Sequence, residues 1–282
     1  AIYPSLAVSQ IRPNTACVIN QGTGMHFDGS NDWIALPQKY TNPLNSFTAE
    51  CWFKTDDNRG NWTANWALID FDRSEYYNVF VRQDGRLGFS SRQGGTFLDL
   101  VGSTANLNDG EWHHVAAVYD GTDKIIYLDG VEDNRHVNAH SGQGIGLGKQ
   151  DRYGFLGDGS EASRFNGRRN GMIYGGAIDE VRIWNTARTP AEIQENLNQV
   201  VAPSSAGLWA YYRLDEGVSE TNNTGLGNTI IDSGPNGFNG TLVNSAKRGP
   251  LSNWVEGTIV TEALGDGIGS AIVTEDGIIY DG

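Results

Sequence analysis

Apolar side chains in this chain come in short runs of four to eight residues, separated by clusters of Gly, Asn and Asp. That spacing predicts many strands and few helices. The runs are Trp33–Leu36, Phe47–Lys54, Tyr77–Arg82, Trp112–Tyr119, Ile125–Leu128, Ile178–Trp184 and Leu208–Leu214. Two connections, Gln83-Asp84-Gly85-Arg86 and Leu128-Asp129-Gly130-Val131, place Asp-Gly between apolar stretches. These residues tolerate the positive φ of a tight hairpin. Strands spaced this way read as an all-β sandwich or barrel.

One helix breaks the pattern, from Thr189 to about Val200. Thr189 is placed to cap it, Pro190 fits its first position, and Glu192 completes a capping box. Ile193, Leu197, Val200 and Val201 give it one apolar stripe, so it is expected to lie on the surface of a sheet. After Trp254 the texture becomes Gly-rich and acidic, and Ile259-Val260-Thr261-Glu262 is echoed by Ile272-Val273-Thr274-Glu275. The expected organisation is a lead-in or first strand over 1–23, one domain over 24–255, and a linker or the start of a following module over 256–282. Such a tail suits a piece of a longer multidomain protein.

Composition narrows the class. With 37 Gly, two Met and 10% aromatics in 282 residues, the chain suits short strands and tight turns. A formal net charge of −14 argues against nucleic acid, whose phosphates need a basic patch. No run of 18 apolar residues is present to span a membrane. The first residues, AIYPSLAVSQ, lack the basic and apolar segments of a secretory signal, as a processed form or a fragment would. Cys17 and Cys51 are consistent with one disulfide or with two buried thiols.

Several stretches together resemble the laminin G-like, concanavalin A-like jelly-roll domains of bacterial secreted and cell-surface proteins. They are Met25-His26-Phe27-Asp28-Gly29-Ser30-Asn31-Asp32-Trp33, Phe47–Lys54, Trp112-His113-His114-Val115-Ala116 with Tyr127-Leu128-Asp129-Gly130-Val131, and Gly176–Asn185. Gly207–Gly217 and Gly237–Leu242 are similar to the closing strands of such domains. The resemblance implies a two-sheet antiparallel sandwich, often calcium-bound, that recognises a glycan or a cell-surface or matrix protein outside the cell.

Candidate site residues follow from both readings. In an unbroken strand Asp179 shares a face with Val181 and Ile183, and a carboxylate facing a core must be paired or metal-bound. The resemblance supports a structural calcium joining Asp28 and Asp179, with Asp32 nearby; an Asx turn at Asp28 is the alternative. Asp70 and Asp72 on one strand face, with Glu75 in the following turn, form a second acidic group. Pentraxins, which share the sandwich, hold calcium with comparable loops, and Leu147-Gly148-Lys149-Gln150-Asp151 resembles their late stretch, which adds Asp151 as a candidate, although Lys149 stands where a further acid is wanted. Trp62, Trp66, Tyr76, Tyr77 and Tyr153 lie in or beside polar, loop-like sequence and are candidates for stacking on sugar rings. Arg152 and Arg168, the latter clustered with Arg164 and Arg169, are candidates for hydrogen bonds to sugar oxygens or to an acidic sugar. The expected rim covers residues 60–77 and 150–170.

Laminarinase-like hydrolases share this sandwich but need Glu-x-Asp-x-Glu on one strand face, and here no Glu is followed two residues later by Asp. No Gly-x-Ser-x-Gly elbow, phosphate loop or Cys-x-x-Cys pair occurs. A binding module is therefore expected, with a glycoside hydrolase and a protein-binding adhesion module as the alternatives.

Overall fold

The computed structural model describes residues 17–58, 65–93, 95–139, 143–146, 150–263, 271–274 and 277–280. The strands follow in order as β1 (Cys17–Asp28), β2 (Trp33–Tyr40), β3 (Phe47–Lys54), β4 (Asn65–Asp70), β5 (Tyr77–Arg82), β6 (Leu87–Gln93) and β7 (Thr96–Val101). Next come β8 (Trp112–Tyr119), β9 (Lys124–Leu128), β10 (Val131–His136), β11 (Arg152–Leu156) and β12 (Gly175–Trp184). After helix α1 (Pro190–Asn196) the chain adds β13 (Leu208–Tyr212), β14 (Thr229–Ile230), β15 (Gly240–Val243), β16 (Asn253–Ala263), β17 (Ala271–Thr274) and β18 (Gly277–Tyr280).

Two antiparallel eight-stranded sheets form the sandwich. The first runs β10-β9-β8-β3-β12-β1-β16, with β13 also paired to β12; the second runs β14-β15-β2-β11-β4-β5-β6-β7. Period-two alternation explains the core between them. Phe47, Ala49, Cys51 and Phe53 of β3 point inward with Val115, Ala117 and Tyr119 of β8, and meet Tyr77, Val79 and Val81 of β5 and Leu87 and Phe89 of β6. The Asp129-Gly130 hairpin forms as its sequence predicts, with φ of +48° and +77° at the two loop residues.

The helix is shorter than expected but capped as expected: Thr189 Oγ1 accepts from Glu192 N, and the Glu192 carboxylate accepts from Thr189 N. Its apolar stripe reduces to Ile193, which packs on Ala116, Val118, Ile125 and Tyr127 of the first sheet's outer face. Side chains from that sheet satisfy the carbonyls beyond it. Arg182 donates to Asn196 O and Gln199 O at 2.8 Å each, and Trp52 Nε1 donates to Leu197 O at 3.1 Å. The outer face of the first sheet is thereby closed over β3, β8, β9 and β12.

Two boundaries move. Residues 253–263 form β16, which pairs along β1 from Cys17↔Ala263 to His26↔Asn253, so the stretch from 256 to 263 belongs to the sandwich edge and not to a linker. The strand β1 starts at Cys17, inside the expected lead-in. Cys51 is a buried free thiol; the Cys17 side chain lies outside the described residues.

Candidate functional site

The outer face of the second sheet is closed on one half and open on the other. The connection from β11 to β12 folds back over β2 and β11, where Ala162 packs with Trp33, Ala35 and Phe155. Trp33 Nε1 donates to Asn166 at 2.9 Å, and the Arg169 guanidinium lies 3.7 Å from the Trp33 ring centroid. Beyond Met172, which packs on Ala67 and Phe80, no such cover lies over β5 to β7 among the described residues, and a groove of about 420 Å³ opens there. That size falls within the range of small-ligand sites.

Alternation builds the floor. Because Val79 and Val81 face the core, Asn78, Phe80 and Arg82 face out; on the same logic Ser90 of β6 and Phe97, Asp99 and Val101 of β7 face out. Gly88 is required where Phe80 lies flat, since a Cβ there would stand 2.2 Å from the ring. Asp72, Arg73 and Ser74 from the β4–β5 turn close one end, and Glu161, Asn170 and Met172 form the wall. The two segments expected as a rim are brought together, with Ala67 N donating to Met172 O at 2.8 Å and Ser160 N to Asp70 at 3.0 Å.

Two amide oxygens in this groove have no partner. Asn78 is fully buried as a residue, its Nδ2 donates to Asp70 and its Oδ1 is unpaired; Asn170 Oδ1 is likewise buried and unpaired. A buried acceptor without a donor costs free energy that a ligand hydroxyl would recover. Phe97, 47% exposed, supplies an apolar ring to the same lining from β7, with the guanidinium carbons of Arg73 and Arg92 within 4.9 Å of its centroid.

The carboxylates are already occupied. Asp99 receives both Nε and Nη2 of Arg73, at 3.1 and 2.6 Å. Asp72 pairs with Arg152, and Glu161 with Arg168 at 3.0 Å. Burial pushes the Asp70 carboxyl up to about 8, against the hydrogen bonds it accepts from Asp72 N, Ser160 N and Asn78. It lies fully buried behind Asn78.

The calcium staple joining Asp28 and Asp179 does not fit the register. Asp28 sits opposite Gly175 on β12, four residues from Asp179, which is about 13 Å along a strand. A bulge at Asp179–Glu180, with Glu180 at φ +51°, also resets the alternation. Ile178, Val181 and Ile183 therefore all face the core and Asp179 does not, contrary to the unbroken-strand expectation. Asp179 instead accepts from Glu180 N and Thr258 N, both at 2.8 Å. Asp28 caps its own turn through Ser30 N at 2.7 Å, and Asp32 accepts from Asp28 N at 3.0 Å. Burial pushes Asp32 up to about 7. Among the described residues no three His, Cys, Asp or Glu side chains are grouped to hold a metal ion. In the second acidic group Asp72 pairs with Arg152, while partly exposed Asp151 pairs with Lys39. Residues 147–149 lie outside the described residues.

The stacking candidates fare unevenly. Trp66, Tyr76 and Tyr77 pack in the core between the sheets and none of them lines the groove. Tyr76 and Tyr77 pack on Tyr40 at 5.3 and 5.8 Å between ring centroids, a long-range contact that their acidic neighbours in sequence conceal. Trp62 lies outside the described residues. Tyr153 is partly exposed but sits beside Phe165 and Lys39, away from the groove lining. Arg152 is buried and committed to Asp72 and Gln150; Arg168 is exposed beside the wall. Phe97 escapes a reading of the sequence because a single aromatic after Gly-Gly-Thr breaks no pattern. The available signal is its alternation with Asp99 and Val101 on an edge strand.

An antiparallel sandwich with one short helix and an open polar groove defines a protein of the lectin type of fold. The chain belongs to the concanavalin A-like lectin/glucanases superfamily, whose family model matches residues 28–194. Among solved structures it is similar to a provisionally assigned carbohydrate-binding protein from Bacteroides ovatus, at a TM-score of 0.57 and 22% identity, covering 90% of this chain. The chain spans 61% of that protein. A heptameric SAP-like pentraxin from Limulus polyphemus matches at a TM-score of 0.47 and 16% identity, over 62% of this chain and 82% of its own. Domain 4 of AbnA, an extracellular GH43 arabinanase from Geobacillus stearothermophilus solved with arabinotriose, matches at 0.46 and 18%, over 64% and 80%. Among curated proteins no sequence matches.

Proposed function

We propose that this chain is a non-catalytic carbohydrate-recognition module that binds a glycan in the groove over β4 to β7. The observation that carries the reading is one groove lined by both the buried, unpaired Oδ1 of Asn78 on β5 and, two strands away on β7, the exposed ring of Phe97. Together they offer an acceptor for a sugar hydroxyl and an apolar surface for the C–H face of a pyranose. The Bacteroides ovatus neighbour lends the same direction.

Recognition is favoured over hydrolysis because two-carboxylate hydrolysis needs a protonated acid and a free base at the substrate. The lining carboxylates Asp72, Asp99 and Glu161 each hold a guanidinium, and the proton-retaining Asp70 is hydrogen-bonded by Asn78 and is not among the residues that line the groove. Amides, a ring and paired charges suffice for this contact, so the proposal places binding in the groove without calcium. It also places the module outside the cell or at its surface, as one unit of a longer protein.

The test is retardation of the protein in gels containing soluble polysaccharides. Binding should fall about tenfold in Phe97→Ala and in Asn78→Ala, both checked for folding by circular dichroism. Unchanged retardation in both variants would move the site elsewhere and remove the proposal.

A further inference from the structure

The groove's charges are spent on one another, and this bears on what it takes. Its lining holds two guanidiniums, Arg73 and Arg82, and three carboxylates, Asp72, Asp99 and Glu161. Arg73 is held in a two-point contact by Asp99, and Arg82 Nε lies 3.4 Å from Asp84. The arginines around the wall are committed likewise: Arg152 to Asp72, Arg168 to Glu161, and Arg169 to the buried Asp158. Arg92, next to Phe97 and outside the lining, turns its Nη1 to Ser74 O at 3.2 Å.

An acidic sugar entering this groove would have to displace a carboxylate from its own guanidinium, and the two-point fork is the strongest form of that pairing. The chain as a whole carries −14, which repels polyanions at long range. The uncommitted polar atoms on the floor and wall are of another kind. Asn78 Oδ1 and Asn170 Oδ1 are neutral acceptors that call for O–H or N–H donors. Uronates and sulfates would add negative charge beside the lining carboxylates Asp72, Asp99 and Glu161 and bring further acceptors to these two.

We infer that the groove selects an uncharged glycan, one that presents hydroxyl hydrogens to Asn78 and Asn170, and discriminates against uronic and sulfated sugars. This rests on the carbohydrate-binding reading above. Of the two readings the sequence leaves for the Arg164–Arg169 cluster, contact with an acidic sugar or pairing with nearby carboxylates, Arg168 and Arg169 follow the second.

The experiment uses affinity gels with laminarin, xylan, arabinan and galactomannan as neutral probes, and polygalacturonate, alginate and chondroitin sulfate as acidic ones. The expected result is retardation by at least one neutral probe, with every acidic probe at least about tenfold weaker. Asp99→Asn, which releases the Arg73 fork, should raise acidic binding about tenfold and make it salt-sensitive. The double variant with Arg73→Gln should lose that gain. Acidic probes that bind the unmodified chain as tightly as neutral ones overturn the inference while leaving the glycan reading in place. No retardation by any probe overturns both.

Discussion

Arg73 grips the Asp99 carboxylate across the mouth of the groove, Nη2 to Oδ2 at 2.6 Å and Nε to Oδ1 at 3.1 Å. Both side chains are 44% exposed. Water therefore screens the pair, and its part in stability is at most about 1 kcal/mol. Asp99→Ala is expected to shift the melting temperature by no more than about 4 °C while changing what the groove binds. A larger drop in a thermal melt would mean that the fork braces the edge strand β7 and is not chiefly a feature of the groove.

Lys124 does the opposite job in a dry place. It is fully buried, and its ammonium donates to Phe89 O at 2.9 Å, Ser91 Oγ at 2.8 Å and Leu98 O at 2.7 Å. It thereby ties β9 of the first sheet to β6 and β7 of the second, with the Phe89 ring centroid 4.0 Å away. All three donors are used, against the burial that pushes this lysine well below its ordinary pKa. Lys124→Met keeps most of the volume but strands two carbonyls and a hydroxyl. A loss of about 2–3 kcal/mol in urea unfolding is expected, and a change below about 0.5 kcal/mol would show that the tie is dispensable.

Stability should decline on the alkaline side of neutrality. Burial raises Asp32 to about 7 and Asp70 to about 8, so the folded chain holds protons that the unfolded chain releases near pH 4. Their contribution is fully present below about pH 4 and is lost progressively as pH rises from there, up to about 7 for Asp32 and about 8 for Asp70. His113, hydrogen-bonded by Asp129 and Asp109, is raised and acts in the same direction above about pH 6.5. His114 opposes them on the acid side. Burial lowers it to about 3, so the unfolded chain takes up a proton between about pH 6.5 and 3 and stability falls as pH falls through that window. Melting temperatures should therefore drop between pH 6.5 and 8.5, and Asp70→Asn should flatten that drop. An amide flip of Asn78 would give the amide nitrogen introduced by that substitution the acceptor it needs, since Asn78 Oδ1 has no partner. A melting temperature that rises from pH 6.5 to 8.5 would contradict the burial argument for both carboxyls.

What the sequence makes legible is what is settled locally. The Thr189–Glu192 capping box and the Asp129-Gly130 turn form where their few residues say they should, because both depend on hydrogen bonds and φ angles within four residues. The facing of Asp179 is a different matter. One extra residue at the bulge sends Ile178 and Val181 to the same side, and nothing in Ile-Asp-Glu-Val marks it. Tyr76 and Tyr77 look exposed beside Asp72 and Glu75, yet the neighbour that buries them, Tyr40, lies on another strand. The groove is half visible in the sequence: its two segments stand out, but the side chains that face it depend on sheet pairing.

Calcium gives the last prediction. The resemblance calls for an ion at Asp28 and Asp179, but the two lie about 13 Å apart in the β1–β12 register and already accept from N–H donors of Ser30, Glu180 and Thr258. A ligand bound only by the folded state raises the melting temperature as its free concentration exceeds its dissociation constant. With no such ion on that pair, adding a chelator and then excess calcium should leave the melting temperature within about a degree, and Asp179→Asn should respond to neither. Glycan retardation should also survive chelation, because the groove's carboxylates are held by Arg73, Arg152 and Arg168. A fall of several degrees on chelation would restore the calcium expected from the sequence, on donors other than Asp28 with Asp179. Loss of retardation alone would instead put the ion in the groove and displace one of those guanidiniums.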